Sequence, residues 1–265
     1  MTLLSDQADD IRALVAAADP GAVWAFGDAD GVHAGSRDGE AGEEAVDAGG
    51  LCAVLALWPV IGSLVEDGSL RLHTPIAAYG ETDAPAGTTA HHLLTHPAGS
   101  ADLTRLAERL SGSPLGALAA TRIWGPLGMT TTRFADGTLY TSLADLVRFL
   151  RHLLAPDPVA QGEPAAQPEP TGRAVPTHAW TTDSLRIRTG ELTPARGLLW
   201  HPAPHGVWTH PAPADDGPAV WISLRPNRWA FLLPTAAGQR PLRSAFREAV
   251  FQRTGARALP GWDVR

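Results

Sequence analysis

The sequence predicts an α+β fold, an antiparallel sheet flanked by helices with a reduced helical subdomain, and three observations lead to it. A strand, turn and returning strand follow directly on a first helix. A long apolar segment of helical character then opens a helix-rich middle. Strand-like pieces, the last two joined at Pro226-Asn227, precede a closing amphipathic helix. At 265 residues and 44% hydrophobic, the chain can bury a core of its own. Residues 1–60 and 145–265 are expected to form the sheet region and residues 61–144 the helical region of a single compact unit.

Each element has its local cause. Ser5 can cap a helix over residues 6–18, with Ile11, Leu14, Val15 and Ala18 on one stripe and Asp19-Pro20-Gly21 as its stop. Residues 22–26 and 32–34 read as strands about a turn at 28–31, and the acidic, glycine-rich residues 36–47 as a mobile connection. Residues 51–65 are almost wholly apolar, a buried central helix that Pro59 kinks or bends. Helices follow over 90–94 and 101–110, and a third has Ser113 as N-cap and Pro114 in its first turn, ending at Gly125-Pro126-Leu127-Gly128. Ser142-x-x-Asp145 opens a helix over 143–154. Six prolines in residues 155–176 predict a poorly ordered loop. Strands are expected over 197–201, 207–210, 219–224 and 229–233. Leu242, Ala245, Phe246, Ala249 and Val250 then line one face of the last helix.

Composition excludes several chemistries. All 21 basic residues are arginine, Asn227 is the one asparagine and Cys52 the one cysteine. A lysine Schiff base, a P-loop lysine, an intramolecular disulfide and a cysteine-built zinc site are therefore ruled out. The net charge of -7 argues against nucleic-acid binding. The start of the chain lacks a basic n-region and a long apolar stretch, and no run approaches the ~18 apolar residues of a membrane span, so a cytoplasmic protein with no membrane partner is expected. The arginine, alanine, glycine and proline bias resembles that of proteins from high-GC bacteria.

Four stretches resemble the serine β-lactamase and penicillin-binding-protein family, in its class C and esterase-like branch. Residues 64–72 with Pro75-Ile76 are similar to "LVEEGKLxLDDPV", and residues 92–99 to "HLLTHTSG". Residues 110–130 are similar to "SGxPL…IFGPLGMTxT", and residues 137–146 to "GGLFSTAxDLARF". The resemblance implies a five-stranded antiparallel sheet and a catalytic Ser-x-x-Lys, in which the lysine amine deprotonates the serine hydroxyl. Those positions fall here on Gly50 and Ala53. The Tyr-x-Asn segment is missing between Gly99 and Leu103, and the Lys-Thr-Gly or His-x-Gly strand is matched by His210-Pro211-Ala212. Without lysine, no shift of register restores the apparatus. The resemblance therefore implies a catalytically degenerate member, a pseudoenzyme that is not a β-lactamase, peptidase or esterase by the serine mechanism.

Cys52, two residues past Gly50, reads as a small buried apolar residue rather than a displaced nucleophile. His92 and His96 belong to the structural motif and are expected to hydrogen-bond within the fold. His201, His205 and His210, with Asp215 and Asp216, make only a weak metal pattern, and no metal or cofactor is expected. Trp58, Trp124 and Trp180 read as core or rim residues. Trp200, Trp208, Trp221 and Trp229 fall on the strands that flank the family's cleft, and some are expected to face it. With Gly50 and Ala53 on its floor, that cleft is expected to be roomier and apolar. Gly50, Ala53, Tyr140, Trp208 and His210 are the expected pocket for a small apolar or aromatic-compatible ligand held noncovalently. Two alternatives stand beside this reading. One is a repurposed cyclase or isomerase acting on a natural-product intermediate of secondary metabolism, with His210 as acid or base. The other is a closed-cleft scaffold for a protein partner, to which Arg240, Arg243, Arg247 and Arg253 of the last helix are candidate contacts.

Overall fold

A computed structural model describes residues 3–36, 42–96, 99–156, 175–190, 194–210, 217–235 and 240–252. In chain order the elements begin with α1 (Leu3–Ala18), β1 (Val23–Asp28) and β2 (Val32–Gly35). The short β3 (Val46–Asp47) leads into a 3₁₀ turn (Gly49–Leu51), a π turn (Ala53–Leu57) and α2 (Trp58–Glu66). The helical middle comprises a 3₁₀ turn (Ile76–Tyr79), α3 (Ala90–Thr95), α4 (Ser100–Ser111), α5 (Leu115–Ala119) and a second π turn (Ala120–Trp124). Then come β4 (Arg133–Ala135), β5 (Thr138–Thr141), α6 (Leu143–Leu154), α7 (His178–Ser184), β6 (His201–Ala203), β7 (Val207–Thr209), β8 (Ala219–Ser223), β9 (Arg228–Leu233) and α8 (Arg240–Phe251).

The main sheet is antiparallel in the order β2-β1-β9-β8-β7-β6. Among the described residues it has six strands rather than five, because β6 pairs along β7, with His201 opposite Thr209 and Ala203 opposite Val207. A second sheet, β3-β5-β4, was not evident in the sequence. Side chains alternate across the main sheet as a strand's period of two requires. Val23, Ala25, Val220, Ile222, Trp229 and Phe231 enter the core shared with the helical middle. Trp24, Phe26, Ala219, Trp221, Ala230 and Leu232 pack on the opposite face, against Ile11 and Val15 of α1 and Leu242, Phe246 and Val250 of α8. Both faces are covered, so the strands read as continuous apolar runs.

Local chemistry explains most boundaries. The β1–β2 turn is held by the Asp28 carboxylate, which accepts from the Asp30 and Gly31 N–H groups. Asn227, with φ of 51°, makes the β8–β9 turn in a left-handed conformation that suits asparagine. The Ser142 hydroxyl caps α6 by accepting from Asp145 N–H at 3.2 Å. The first helix starts at Leu3, so Ser5 lies within it and is not its cap. Ser113 is not a cap either. Pro114 occupies that position, and the Glu108 carboxylate of the preceding helix accepts from Leu115 N–H at 2.8 Å.

The central apolar segment forms as expected, but its irregularity lies before Pro59, as the π turn, and α2 begins around the proline. Proline supplies no N–H to the preceding turn. The Leu55 carbonyl of that turn is taken instead by the indole N–H of Trp124, at 2.8 Å. The expected strand over residues 197–201 is a turn that enters β6 only at His201, because Leu199 adopts a φ of 60°. Of the proline-rich loop, residues 157–174 lie outside the described residues, as do 37–41 of the acidic connection. Among the described residues, no helix is long and apolar enough to cross a membrane.

Candidate functional site

The segment carrying Gly50 is fixed from both sides. Asp47 Oδ1 accepts from Gly49 N–H at 2.8 Å, and Ala48 N–H donates to the Leu139 carbonyl of β5 at 2.8 Å. Leu51 is fully buried, whereas Gly50, Cys52 and Ala53 are half-buried. The Gly50 turn therefore lies against β5 on one side and the start of β8 on the other.

The floor at this point is not roomier. A Cβ placed on Gly50 would lie 3.1 Å from Cδ and 3.3 Å from Cγ of Pro218, the residue preceding β8. The proline ring occupies the space into which a side chain at position 50 would project. Glycine is the residue that lets the two segments approach so closely.

His210 follows directly on β7 and is 2% exposed. Trp208 is half-buried on β7, opposite Ile222 and Pro202, with its ring edge 3.1 Å from the Cβ position of Gly197. Thr209 Oγ1 donates to the Val220 carbonyl at 3.0 Å and ties β7 to β8 beside His210. Tyr140 is half-buried on β5, opposite Asp47 and Arg133. Tyr140 of β5 thus pairs with Asp47 just ahead of the Gly50 turn, and Trp208 and Thr209 pair with β8, which Pro218 precedes. Pro211, Ala212, Asp215, Asp216 and Arg253 lie outside the described residues.

Trp200, Trp221 and Trp229 do not join Trp208 in an aromatic wall. Trp221 is on the far face of the sheet, 5.8 Å from the Phe246 ring and 6.0 Å from the Arg243 guanidinium. Trp229 is fully buried and donates its indole N–H to the Asp28 carbonyl at 2.7 Å. Trp200 is fully buried, edge-on to Trp58 at 5.7 Å. Trp58, Trp124 and Trp180 are core residues, as the sequence suggests. Sequence reasoning missed Pro218, which carries no local signal of its closeness to a residue so distant along the chain.

Cys52 packs partly against the main core, and burial pushes its thiol above the ordinary value. A thiolate is the reactive form, so this cysteine is a poor nucleophile. Cys52→Ala is expected to change stability by less than about 1 kcal/mol. The folded protein should react with a maleimide far more slowly than the urea-unfolded chain, which intact-mass time courses will show. His92 Nδ1 accepts from Thr89 N–H at 3.4 Å while Thr89 Oγ1 accepts from His92 N–H, a reciprocal cap of α3. His96 Nδ1 lies 2.9 Å from the His92 carbonyl, so both motif histidines serve the fold. His201 and His205 have other partners, Arg196 and Glu248 respectively, each at 2.7 Å. Hydrogen bonds from Arg247 and His205 hold the Glu248 carboxyl down at about 2.

No protein-family model and no curated protein matches the sequence. Solved structures do match. A β-lactamase from Mycobacterium bovis is 19% identical, with a TM-score of 0.65 over 88% of this chain and 96% of its own. SurE is 16% identical, with a TM-score of 0.70 over 99% of this chain and 79% of its own. The simvastatin synthase LovD of Aspergillus terreus is 12% identical, with a TM-score of 0.66 over 96% of this chain and the whole of its own. The six-stranded antiparallel sheet, the helices on both its faces and these likenesses together show that the chain has the fold of the serine β-lactamases and penicillin-binding proteins.

Proposed function

We propose that this protein is a non-hydrolytic user of its fold, binding a small molecule noncovalently in the cleft bordered by the Gly50 turn, β5 and the end of β7. One observation carries the reading. Glycine stands where the motif resemblance puts the nucleophile. Serine chemistry of the family's type also needs a lysine base, and the chain contains no lysine. The side chains proposed to border the cleft instead are the small Ala53 and two half-buried aromatic residues, Tyr140 and Trp208, with His210 almost wholly buried behind them. Such a lining suits a compact, mainly apolar ligand oriented by one or two polar groups.

The Pro218 contact favours a second reading, a closed-cleft scaffold for a protein partner, since it removes volume from the cleft floor. Native mass spectrometry of the purified protein, as isolated and after mixing with an extract of its source organism, separates the two. Small-molecule binding predicts a retained mass of metabolite size in the wild type that is lost in Ala53→Trp, with both proteins giving the same circular dichroism. No retained mass under either condition contradicts small-molecule binding and leaves the scaffold.

A further inference from the structure

Residues 194–201 form a strained segment between α7 and β6. Leu198 and Trp200 are fully buried, and Leu199 is held at a φ of 60°, a conformation that a branched side chain rarely adopts. The backbone is pinned by neighbours. Leu198 N–H donates to the Ser184 carbonyl of α7 at 3.0 Å, Leu199 N–H to the Leu94 carbonyl of α3 at 2.8 Å, and Gly197 N–H to the Trp200 carbonyl at 2.7 Å. Its two ends are joined by side chains, with Arg196 Nη1 at 2.7 Å from His201 Nε2.

An arginine guanidinium has donors only. The His201 Nε2 must therefore accept, which fixes the ring as the neutral tautomer with its proton on Nδ1. From its own segment, the charge bearing on the ring is the Arg196 guanidinium. Across the strand pair its neighbour is Thr209, which carries no charge. We propose that the Arg196–His201 contact is an acid-released clasp. A proton added at Nε2 occupies the lone pair that Arg196 uses and sets two cations against each other. The strained segment then detaches from α3 and α7 and loosens β6 along the β7 edge that leads to His210. That last consequence, a loosened cleft wall, rests on the binding reading above, whereas the release itself does not.

The direction in pH follows from linkage. Burial and the Arg196 charge hold His201 below its ordinary value of 6.5, so the folded protein binds this proton less readily than the unfolded chain. The clasp is complete above pH 6.5 and is lost as the pH falls through the lower folded value.

Hydrogen exchange read by mass spectrometry on the ligand-free full chain tests the release, with rates corrected for the intrinsic pH dependence. From about pH 7 to a pH below the His201 midpoint found by ¹⁵N titration of the imidazole, protection of peptides covering 194–201 is expected to fall about tenfold, relative to β9 peptides whose protection holds. In His201→Gln, whose amide oxygen accepts from Arg196 at every pH, protection should stay constant. Equal protection at both pH values in the wild type, or the same fall in His201→Gln, overturns the proposal. Should that variant not fold, a ¹⁵N titration of the wild-type imidazole decides alone. Nε2 unprotonated at neutral pH with a midpoint below 6.5 supports the clasp, and an Nε2–H tautomer or a midpoint above 6.5 overturns it. Either result is obtained without ligand, so a failed clasp leaves the binding proposal to its own test.

Discussion

Trp58→Ala is expected to lower stability by about 3–5 kcal/mol, measured as a shift in the urea midpoint with an unchanged slope. Trp58 is fully buried at the start of α2, edge-on to Trp200 and tilted against Trp180 at 6.1 Å. Its indole N–H donates to Ser184 Oγ at 3.0 Å, in the middle of the apolar core. The substitution leaves a cavity that the rigid neighbours cannot fill, and it also strips Ser184 of a partner. Trp58→Phe keeps most of the ring contacts and loses the donor, so it should cost roughly 1–2 kcal/mol. If the two variants cost the same, the hydrogen bond and not the packing carries the site. If neither costs more than about 1 kcal/mol, the three-tryptophan cluster is not a stability centre.

Asp145→Ala should be comparably damaging, about 3 kcal/mol, for a different reason. The Asp145 carboxylate is fully buried in the first turn of α6. One oxygen accepts from Thr131 N–H, Thr132 N–H and Thr132 Oγ1, at 2.9, 2.9 and 2.8 Å, and the other accepts from Arg148 at 2.8 Å. This one side chain therefore joins α6 to the segment that enters β4. Alanine leaves buried donors without partners, which costs more than the hydrogen bonds contribute when made. Thr132→Val removes only one of these donors and should cost about 1 kcal/mol by the same urea measurement. A double variant no worse than Asp145→Ala alone would show that the two residues act through one network.

How much of this was legible depends on the range of the forces involved. The β1–β2 and β8–β9 hairpins, the Ser142 cap and the α8 stripe are short-range features, and the local sequence states them. The motif resemblance carried the fold, through stretches such as residues 110–130 whose turns and helix stops recur as quoted. Features made by residues far apart were not legible. Glu108 displaces Ser113 as a cap because α4 folds back on α5, and β6 adds a sixth strand because a turn at Pro204 and His205 returns it along β7. The tryptophans mislead for a related reason. With both faces of the sheet covered, Trp221 and Ile222 are equally apolar neighbours, and nothing in the pattern says which face each one takes.

The site was legible in what it lacks more than in what it holds. The absence of lysine is absolute in the composition and holds in any register. The expectation of a roomier floor assumed that losing two side chains leaves space behind them. At position 50 the Pro218 ring stands where a side chain would project, as dense packing disfavours an empty volume. His210 follows directly on β7 and is almost wholly buried, which counts against its meeting a substrate directly.

The central claim, that this fold works here without acyl-serine chemistry, is tested most directly by intact-mass spectrometry after incubation with benzylpenicillin and, separately, with an activated p-nitrophenyl ester. An unchanged protein mass is expected with either reagent, in the wild type and in Gly50→Ser alike, because the serine introduced in that variant has no lysine beside it. A stoichiometric acyl adduct on the wild type that maps to a serine of the cleft would contradict it.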